Sequence, residues 1–516
     1  MSRRELLQRA GAGSLALSLV GSGIPDLAMA AYDTTVQKPG GVLRVGMSFG
    51  VSASLDPHKA SSGSLDESRM LNVFSRLTDF DRKGDVVMQL AESIEPNKTG
   101  TRWLVKLRDD VVFHDGSPLT ADDVIYSYRR ILTKKLGLEG FADLSMIDPS
   151  RLRKVDRTTL LIFLKYPYAD LPSQLGQRTT SILKAGTRSF RSLNGTGPFK
   201  FGKAVTGRST TLLANRNYFV TNRPFVDRVE LINISDETAR LNALSANQVD
   251  AIPVQGLERI AVLKNTPGVK YVISPSDGWA TMVMNIKERP FNDVRVRQAL
   301  RLIADRPQIR AQAQQGLGRI GNDLFGLFDP MYASSIPQRT QDIDRARSLL
   351  RAAGYEDLQI TLESGEVAPA TLSSALVFAE QAKAAGVTIK VNNNSPDTYW
   401  TNVWGKQPFV QTYWAHRPLI GQWLQVLDPA GPWTSYETRW DDPKTTKRFR
   451  EAVRTVDEKR RAEIMHEVQL AQWNRGGNLI WGFIVYLDAY RSNVRGTAQN
   501  ANRRMDNWGW ANLSVR

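Results

Sequence analysis

Alternating apolar and polar positions predict several strands in the first third of the chain. Residues 43–47 alternate in this way, and Trp103, Val105 and Leu107 fall on one face of a second segment. Residues 160–164 are more continuously apolar and predict a third strand. The first half of the chain is therefore predicted to be rich in strands and turns.

A helix is predicted to begin after Thr120. Val124, Tyr128, Ile131 and Leu132 recur at the i, i+4, i+7, i+8 spacing of one helix face. Thr120 can cap this helix, because an aspartate three residues later stands where a capping box needs an acceptor. The segment therefore has both an apolar face and a defined start.

The second half of the chain alternates between helices and strands. One helix is predicted over 296–304, and another over 343–353, where a glycine suits a left-handed cap. A strand at 358–362, a helix at 376–385 and a strand at 387–391 follow. This order indicates an α/β domain. Because the chain has no internal repeat and no low-complexity linker, its domains are predicted to share a sheet or exchange strands.

Length and composition set the class of protein. A chain of 516 residues predicts about three domains. With 41% hydrophobic and 23% charged residues, it resembles a soluble globular protein, and no apolar run reaches the ~18 residues that span a bilayer. Cysteine is absent, which excludes disulfides, thiolate metal sites and lipid attachment through cysteine. The four histidines lack the spacing of a zinc site, so neither a metal nor a cofactor is predicted.

The net charge of +16 leaves the class of partner open by itself. A basic balance can serve nucleic acid, an anionic membrane surface or an anionic ligand. Here the basic residues are interleaved with acids, and no block of five or six like charges occurs. We therefore interpret the charge mainly as a solvated surface and predict no nucleic-acid partner.

The first 30 residues have the three parts of an export signal. A short basic segment is followed by a mildly apolar stretch, and small residues precede Ala30, where cleavage would leave Ala31 as the new N-terminus. Arg3 and Arg4 resemble the twin-arginine pair that directs folded cargo across a membrane. The general secretory route is the alternative.

Several motifs resemble those of family 5 extracellular solute-binding proteins, which bind peptides or nickel. The segment Val112–Val124 is similar to the family signature, and Gly195–Phe199 is similar to its glycine-rich turn. Residues 55–57, 290–300 and 346–355 resemble three further blocks. The blocks occur in the order of the family from about residue 43 to beyond 480, so the resemblance covers nearly all of the mature chain.

The resemblance implies an α/β periplasmic-binding-protein fold of the large, three-domain, two-lobed type. Two crossover strands, near residues 284 and 490, would act as a hinge, and a ligand would be enclosed between the lobes. The implied parts are a signal peptide (1–30), domain I (31–75, 190–285 and 490–516), an inserted domain II (76–189) and a second lobe, domain III (286–489).

The resemblance also implies a function in solute import and no enzymatic activity. A periplasmic monomer would capture a small molecule, such as a peptide, a peptide derivative or an opine-like compound, for an ABC permease with its ATPase. An enzyme or chaperone on the same scaffold is the alternative. Two enzyme-like motifs are incomplete. Residues 197–203 have the spacing of a phosphate-binding loop, but the Ser or Thr that would bind magnesium is absent after them. His466-Glu467 begins like a zinc-protease helix but lacks its second histidine.

Aromatic residues provide the candidate ligand site, because rigid rings commonly line ligand clefts. The resemblance implies that the region around Tyr413 faces the ligand, where peptide binders carry an acid; this chain has His416 and Arg417 instead. We predict that Arg417 pairs with an anionic group of the ligand, and pairing with a protein carboxylate is the alternative. The predicted ligand-binding residues are Trp279, Tyr413, Trp414, His416, Arg417 and Trp433, with core packing as the alternative for Trp279 and Trp433.

Overall fold

A computed structural model describes residues 40–47, 55–59 and 64–516 of the chain. The residues of the predicted export signal, Arg3, Arg4, Ala30 and Ala31, lie outside this described part. Within it, no helix is long and apolar enough to cross a membrane.

Strands dominate the first half of the chain, and helices are longer and more frequent in the second half. The strands are β1 (Val42–Met47), β2 (Thr78–Phe80), β3 (Val86–Met88), β4 (Ala91–Pro96), β5 (Arg102–Leu107), β6 (Arg153–Lys154), β7 (Thr159–Phe163), β8 (Phe199–Val205), β9 (Ser209–Ala214), β10 (Arg228–Asn233), β11 (Ala251–Val254), β12 (Val269–Met284), β13 (Arg319–Ile320), β14 (Leu358–Ser364), β15 (Val387–Asn393), β16 (Phe409–Trp414), β17 (Asn478–Arg491), β18 (Val494–Arg495) and β19 (Ser514–Val515). The helices are α1 (Ser64–Val73), α2 (Ala121–Ile131), α3 (Leu171–Leu175), α4 (Glu237–Ser245), α5 (Ile260–Lys264), α6 (Val294–Ile303), α7 (Arg306–Ala313), α8 (Ile343–Ala352), α9 (Thr371–Lys383), α10 (Pro396–Asn402), α11 (Leu419–Val426), α12 (Pro443–Arg454) and α13 (Glu458–Arg475).

One large mixed sheet runs through the molecule. Its strand order is β15-β14-β16-β12-β17-β11-β1-β10-β9-β8, with β13 paired on β17. The central antiparallel pair, β12 and β17, has Val269 opposite Arg491 at one end and Val283 opposite Asn478 at the other. β11 pairs with β17 near the first end, and β16 pairs with β12 near the second. These two long strands therefore join β11 and its neighbours on one side of the sheet to β16 and its neighbours on the other.

A second, four-stranded sheet in the order β4-β5-β7-β6 lies within residues 91–163. Helix α2 follows β5, and its first turn confirms the predicted capping arrangement: the Asp123 carboxylate accepts bonds from the Thr120 backbone N–H and hydroxyl, both at 2.8 Å. Apolar residues of α3, such as Leu171, belong to the same core cluster as Trp423 of α11. The region of the small sheet therefore packs against the second half of the chain.

Two blocks of the family-like sequence meet in space. The His114 backbone N–H donates to the Gly195 carbonyl at 2.8 Å, and the His114 ring nitrogen Nε2 lies 3.0 Å from the Gly197 carbonyl. Burial lowers the pKa of His114 to about 4, so the ring is neutral at pH 7. The glycine-rich turn is thus a packing and hydrogen-bonding element, which agrees with its interpretation as structure rather than a phosphate loop.

The α/β fold class is confirmed, and the predicted helices at 296–304 and 343–353 correspond to α6 and α8. Helix α9 begins at Thr371, five residues before the predicted 376–385 segment. The apolar pattern misses this first part because Thr371 and Ser374 are buried polar residues. The boundaries of the three domains stay a prediction.

Candidate functional site

Trp279 and Trp414 are neighbours on adjacent strands. They are register partners in β12 and β16, and their ring centroids lie 6.5 Å apart in a stacked arrangement. Phe325 stacks on Trp279 with a centroid distance of 5.1 Å. Trp279 is only 1% exposed, so its ring supports Trp414 from within the core. Direct contact between Trp279 and a ligand stays a prediction.

Four rings in the second half of the chain form what we call the aromatic wall: Trp404, Trp414, Trp433 and Tyr436. The Trp404 centroid lies 5.3 Å from that of Trp433 and 5.0 Å from that of Tyr436. The Trp414 and Trp433 centroids are 6.4 Å apart. Trp433 is 36% exposed and Tyr436 41% exposed, which is unusual for large rings. The wall therefore presents a continuous aromatic surface to solvent.

Trp414 and Trp433 are predicted from the sequence to belong to this site, whereas Trp404, Tyr436 and Glu437 are not. Trp400 and Trp404 are four residues apart at the C-terminal end of α10; Trp404 lies two residues beyond the helix, and the two ring centroids are 5.6 Å apart. That spacing could have drawn attention to Trp404. Nothing in the local pattern marks Glu437, which lies next to Tyr436 in a loop.

Glu437 is a buried acid that supports two rings of the wall. Its Oε1 accepts hydrogen bonds from the indole N–H groups of Trp404, at 3.0 Å, and Trp414, at 3.1 Å. Burial raises the pKa of Glu437 to about 7, although the two indole bonds act in the opposite direction. Its Oε2 is buried and has no hydrogen-bond partner among the described residues. The carboxyl group therefore titrates near neutral pH.

We expect Glu437→Gln to change how stability depends on pH. In the wild type the folded pKa of about 7 exceeds the unfolded value of 4.5, so the unfolded chain loses its proton first and stability falls as pH rises from about 4.5 to 7. The glutamine oxygen can accept the same indole bonds without ionising. The variant should therefore gain about 3 kcal/mol relative to wild type between pH 5 and 8, measured by chemical denaturation.

The exposed Glu380→Gln exchange serves as the control, since the Glu380 side chain is 73% exposed beside Lys383. It should leave the pH dependence unchanged. Parallel pH profiles for wild type and Glu437→Gln would show that this carboxyl group does not titrate in the range given.

Tyr413 and His416 lie beside the wall and have different partners. Tyr413 packs edge-on against Trp400 with centroids 5.9 Å apart, and burial raises the pKa of its hydroxyl. The His416 Nδ1 lies 2.6 Å from Oδ1 of Asp277, which belongs to β12. His416 also meets the edge of Phe80 at 6.4 Å. An acid thus stands beside His416, although none occurs near it in sequence.

Arg417 lies next to a protein carboxylate. Its Nη1 is 3.6 Å from Oδ1 of Asp143, and Oδ2 of the same carboxylate accepts a 2.6 Å bond from the Thr179 hydroxyl. Both residues of the ion pair line a cavity of about 20 Å³, which holds about one water molecule. Two roles were left open for Arg417: pairing with an anionic group of the ligand or with a protein carboxylate. The observed geometry is that of the protein ion pair. Pairing with a ligand stays a prediction.

The described part of the chain contains no group of three or more His, Asp or Glu side chains arranged to hold a metal ion. The groups that surround the wall are aromatic rings, hydroxyls and paired charges.

The fold is that of a two-lobed periplasmic binding protein of the peptide- and nickel-binding type. Residues 85–422 match the model of the bacterial extracellular solute-binding proteins, family 5 (middle part). The chain belongs to this family. The predicted resemblance is therefore confirmed.

Individual relatives are distant. The oligopeptide-binding protein AppA of Bacillus subtilis is 28% identical over 360 residues, covering 64% of this chain and 65% of that protein, which is less than two thirds of its length. Di/tripeptide-binding protein 1 of Pseudomonas aeruginosa is 24% identical over 461 residues, covering 82% and 85%. The ABC transporter substrate-binding protein CtaP of Listeria monocytogenes has a TM-score of 0.83 at 20% identity, covering 93% of this chain and 100% of that one.

Proposed function

We propose that this protein captures a small, peptide-like solute between its two lobes and delivers it to an ABC permease with its ATPase. The aromatic wall carries this proposal, because it offers a large, rigid, partly exposed surface at the end of β16, which pairs with the crossover strand β12. The names of the relatives, which include oligopeptide- and di/tripeptide-binding proteins, support a peptide-like ligand.

The proposed binding surface includes Tyr413, Trp414, His416 and Trp433. Tyr413 and His416 lie where the two lobes approach each other: His416 meets Phe80, and the pKa of Tyr413 responds to charges on α1 and near the C-terminus. Closure of the lobes over a solute would remove these rings from water. The protein would act as a periplasmic monomer and close around one ligand.

Ligand recovery tests this function. We would purify the protein without denaturation, release bound small molecules by unfolding it and identify them by mass spectrometry. A peptide-like solute at about one per chain is expected, and its return at a hundredfold excess over Kd should stabilise the fold by about 2.7 kcal/mol. If no molecule is released and a panel of short peptides leaves the unfolding temperature unchanged, the proposal fails.

We further propose export by the twin-arginine route, with cleavage between Ala30 and Ala31. Replacing both Arg3 and Arg4 with lysine keeps the charge but removes the pair that the receptor reads. The double variant should accumulate as an uncleaved precursor, detected by mass spectrometry of cell fractions. Arg9→Lys is the matched control and should export normally. Normal periplasmic yield of the double variant would instead favour the general secretory route.

A further inference from the structure

Two consecutive arginines near the C-terminus, Arg503 and Arg504, rest on aromatic rings instead of carboxylates. The Arg503 guanidinium carbon lies 5.0 Å from the ring centroid of Phe80, and that of Arg504 lies 5.1 Å from the ring centroid of Tyr486. Neither guanidinium forms an ion pair within 4.0 Å in the described part of the chain. A side chain–backbone bond at 3.5 Å joins Arg504 to the Val254 carbonyl.

The acids nearest to Arg503 already have other partners. Asp79 and Glu67 both favour the charged form of Arg503, yet burial lowers the pKa of this arginine overall. Asp79 forms an ion pair with Arg76 at 2.7 Å, and Glu67 lies 3.8 Å from Arg178. The local carboxylates are therefore engaged, and the charge of Arg503 is left uncompensated at close range.

Arg504 is also incompletely satisfied. Its Nε is buried without a hydrogen-bond partner among the described residues. Each guanidinium carries five N–H donors, so two adjacent arginines supply ten donors in fixed planes. Arg306 and Arg69 also have a buried Nε without a partner among the described residues. Each of them nevertheless forms an ion pair at 2.7 Å, with Asp323 and Asp66 respectively, which Arg503 and Arg504 do not. The guanidinium groups of Arg503 and Arg504 therefore have N–H donors available for an acceptor that the described residues do not supply.

The backbone holds this pair in a strained segment tied to the crossover strands. Asn502 has φ of 69° and Met505 has φ of 52°, both in the left-handed region that L residues rarely adopt. The Asn502 side chain accepts a 2.7 Å bond from the Asp277 N–H, and the Met505 N–H donates to Asp488 at 2.6 Å. These anchors on β12 and β17 fix the two residues between them.

The pair also lies where groups of both lobes meet. Arg504 lowers the pKa of Tyr413 in β16, while Glu67 of α1 raises it, so all three are within electrostatic reach. The Phe80 ring, which packs against the Arg503 guanidinium, also meets the His416 ring in a T-shaped arrangement with centroids 6.4 Å apart. The Tyr413 hydroxyl has no hydrogen-bond partner among the described residues and could donate to the same acceptor. Tyr413 packs on Trp400 at 5.9 Å between centroids, and Trp400 packs on Trp404 of the aromatic wall at 5.6 Å, so Tyr413 adjoins the wall and is within electrostatic reach of Arg504.

Building on the proposed function, we propose that Arg503 and Arg504 bind a carboxylate of the solute at the lobe junction, with Tyr413 as a further donor. A carboxylate fits because its two oxygens match the planar fork of a guanidinium. The solute class is therefore an acid-bearing, peptide-like molecule whose apolar or planar part covers the aromatic wall. Arg417, which is paired with Asp143, is not needed for this contact.

The test uses ligand-stripped protein and a defined panel of short peptides, N-acylated peptides and sugar–amino acid conjugates, each as free acid and as primary amide. Wild type should bind acids 30- to 3000-fold more tightly than amides, as measured by calorimetry. Arg503→Gln and Arg504→Gln should each lose most of this preference. The exposed Arg351→Gln, which makes the same charge change, should keep it.

A second arm does not depend on finding the solute. Unfolding temperature is measured in potassium acetate and in potassium chloride at equal ionic strength, for wild type and the same variants. Acetate should stabilise wild type and Arg351→Gln but not Arg503→Gln or Arg504→Gln. Without added carboxylate, the two site variants should match or exceed the unfolding temperature of wild type, since they remove a partly buried charge that has no ion-pair partner within 4.0 Å.

The two arms separate the failure of this site from the failure of the proposed function. Equal binding of acids and amides by wild type overturns the carboxylate site while leaving solute capture intact. If no compound of the panel binds, but acetate raises the unfolding temperature only when both arginines are present, the carboxylate site is supported. The same result counts against capture of a peptide-like solute. Destabilised Arg503→Gln and Arg504→Gln proteins without an acetate difference would show a structural role and overturn the proposal.

Discussion

Asp323→Asn should destabilise the protein by about 3–5 kcal/mol, because it removes the acid that three buried arginines share. Asp323 is fully buried, with Arg306 at 2.7 Å, Arg339 at 2.8 Å and Arg301 at 4.0 Å. Its Oδ1 also accepts the Ile480 N–H of β17 at 3.1 Å. The carboxylate thus ties helices α6 and α7 to a crossover strand. Chemical denaturation at pH 7 measures the loss.

The same group contributes to acid sensitivity. Burial alone would raise the pKa of Asp323, but Arg306, Arg301 and Arg339 together lower it below 3.8. The ionised form therefore stabilises the fold above pH 4, and this contribution is lost as pH falls through the folded pKa. Asp344→Asn is the control, since its side chain is 96% exposed, and it should cost at most about 0.5 kcal/mol. Similar stabilities of both variants would contradict the buried-network account.

Gly195→Ala should cost about 3 kcal/mol or more, because the position has no room for a methyl group. A Cβ built there would lie 1.9 Å from the Val73 carbonyl oxygen, which is a backbone atom. That oxygen cannot simply move away, since it accepts the Gly197 N–H at 2.9 Å. The midpoint of denaturation should fall without a change in the unfolding slope.

Gly421→Ala is the matched control, because its nearest obstacle is the flexible Gln174 side chain, at 3.3 Å. In the interior of helix α11 an alanine should be neutral or should stabilise by up to about 1 kcal/mol. Equal midpoints for Gly195→Ala and wild type would show that the turn relaxes, and the steric explanation for this glycine would be wrong.

Local patterns predicted much of the fold. The capping arrangement at Thr120 and the alternation of 43–47 depend on neighbours in sequence, so helix α2 and strand β1 could be placed without a structure. Sheet order could not be predicted this way. β12 and β17 are neighbours although about two hundred residues separate them, and only tertiary contacts decide that pairing.

The candidate site was predicted only in part, because several of its contacts join residues that are far apart in sequence. A cluster of tryptophans is visible in the sequence, and Trp414 and Trp433 were found from it. The acid beside His416 comes from Asp277, 139 residues away, and no local pattern indicates that contact. Arginine partners are equally non-local: Arg417 has Asp143, while Arg503 and Arg504 have aromatic rings. The net charge of the chain does not show which arginines pair with carboxylates and which pack on aromatic rings.

Small-angle X-ray scattering tests most directly whether the two lobes close on a solute. Protein stripped of bound molecules would be titrated with the small-molecule fraction released from the same protein, until the unfolding temperature no longer rises. Lobe closure predicts a smaller radius of gyration at saturation than in the stripped protein. An unchanged radius, with the solute demonstrably bound, would contradict capture by closure.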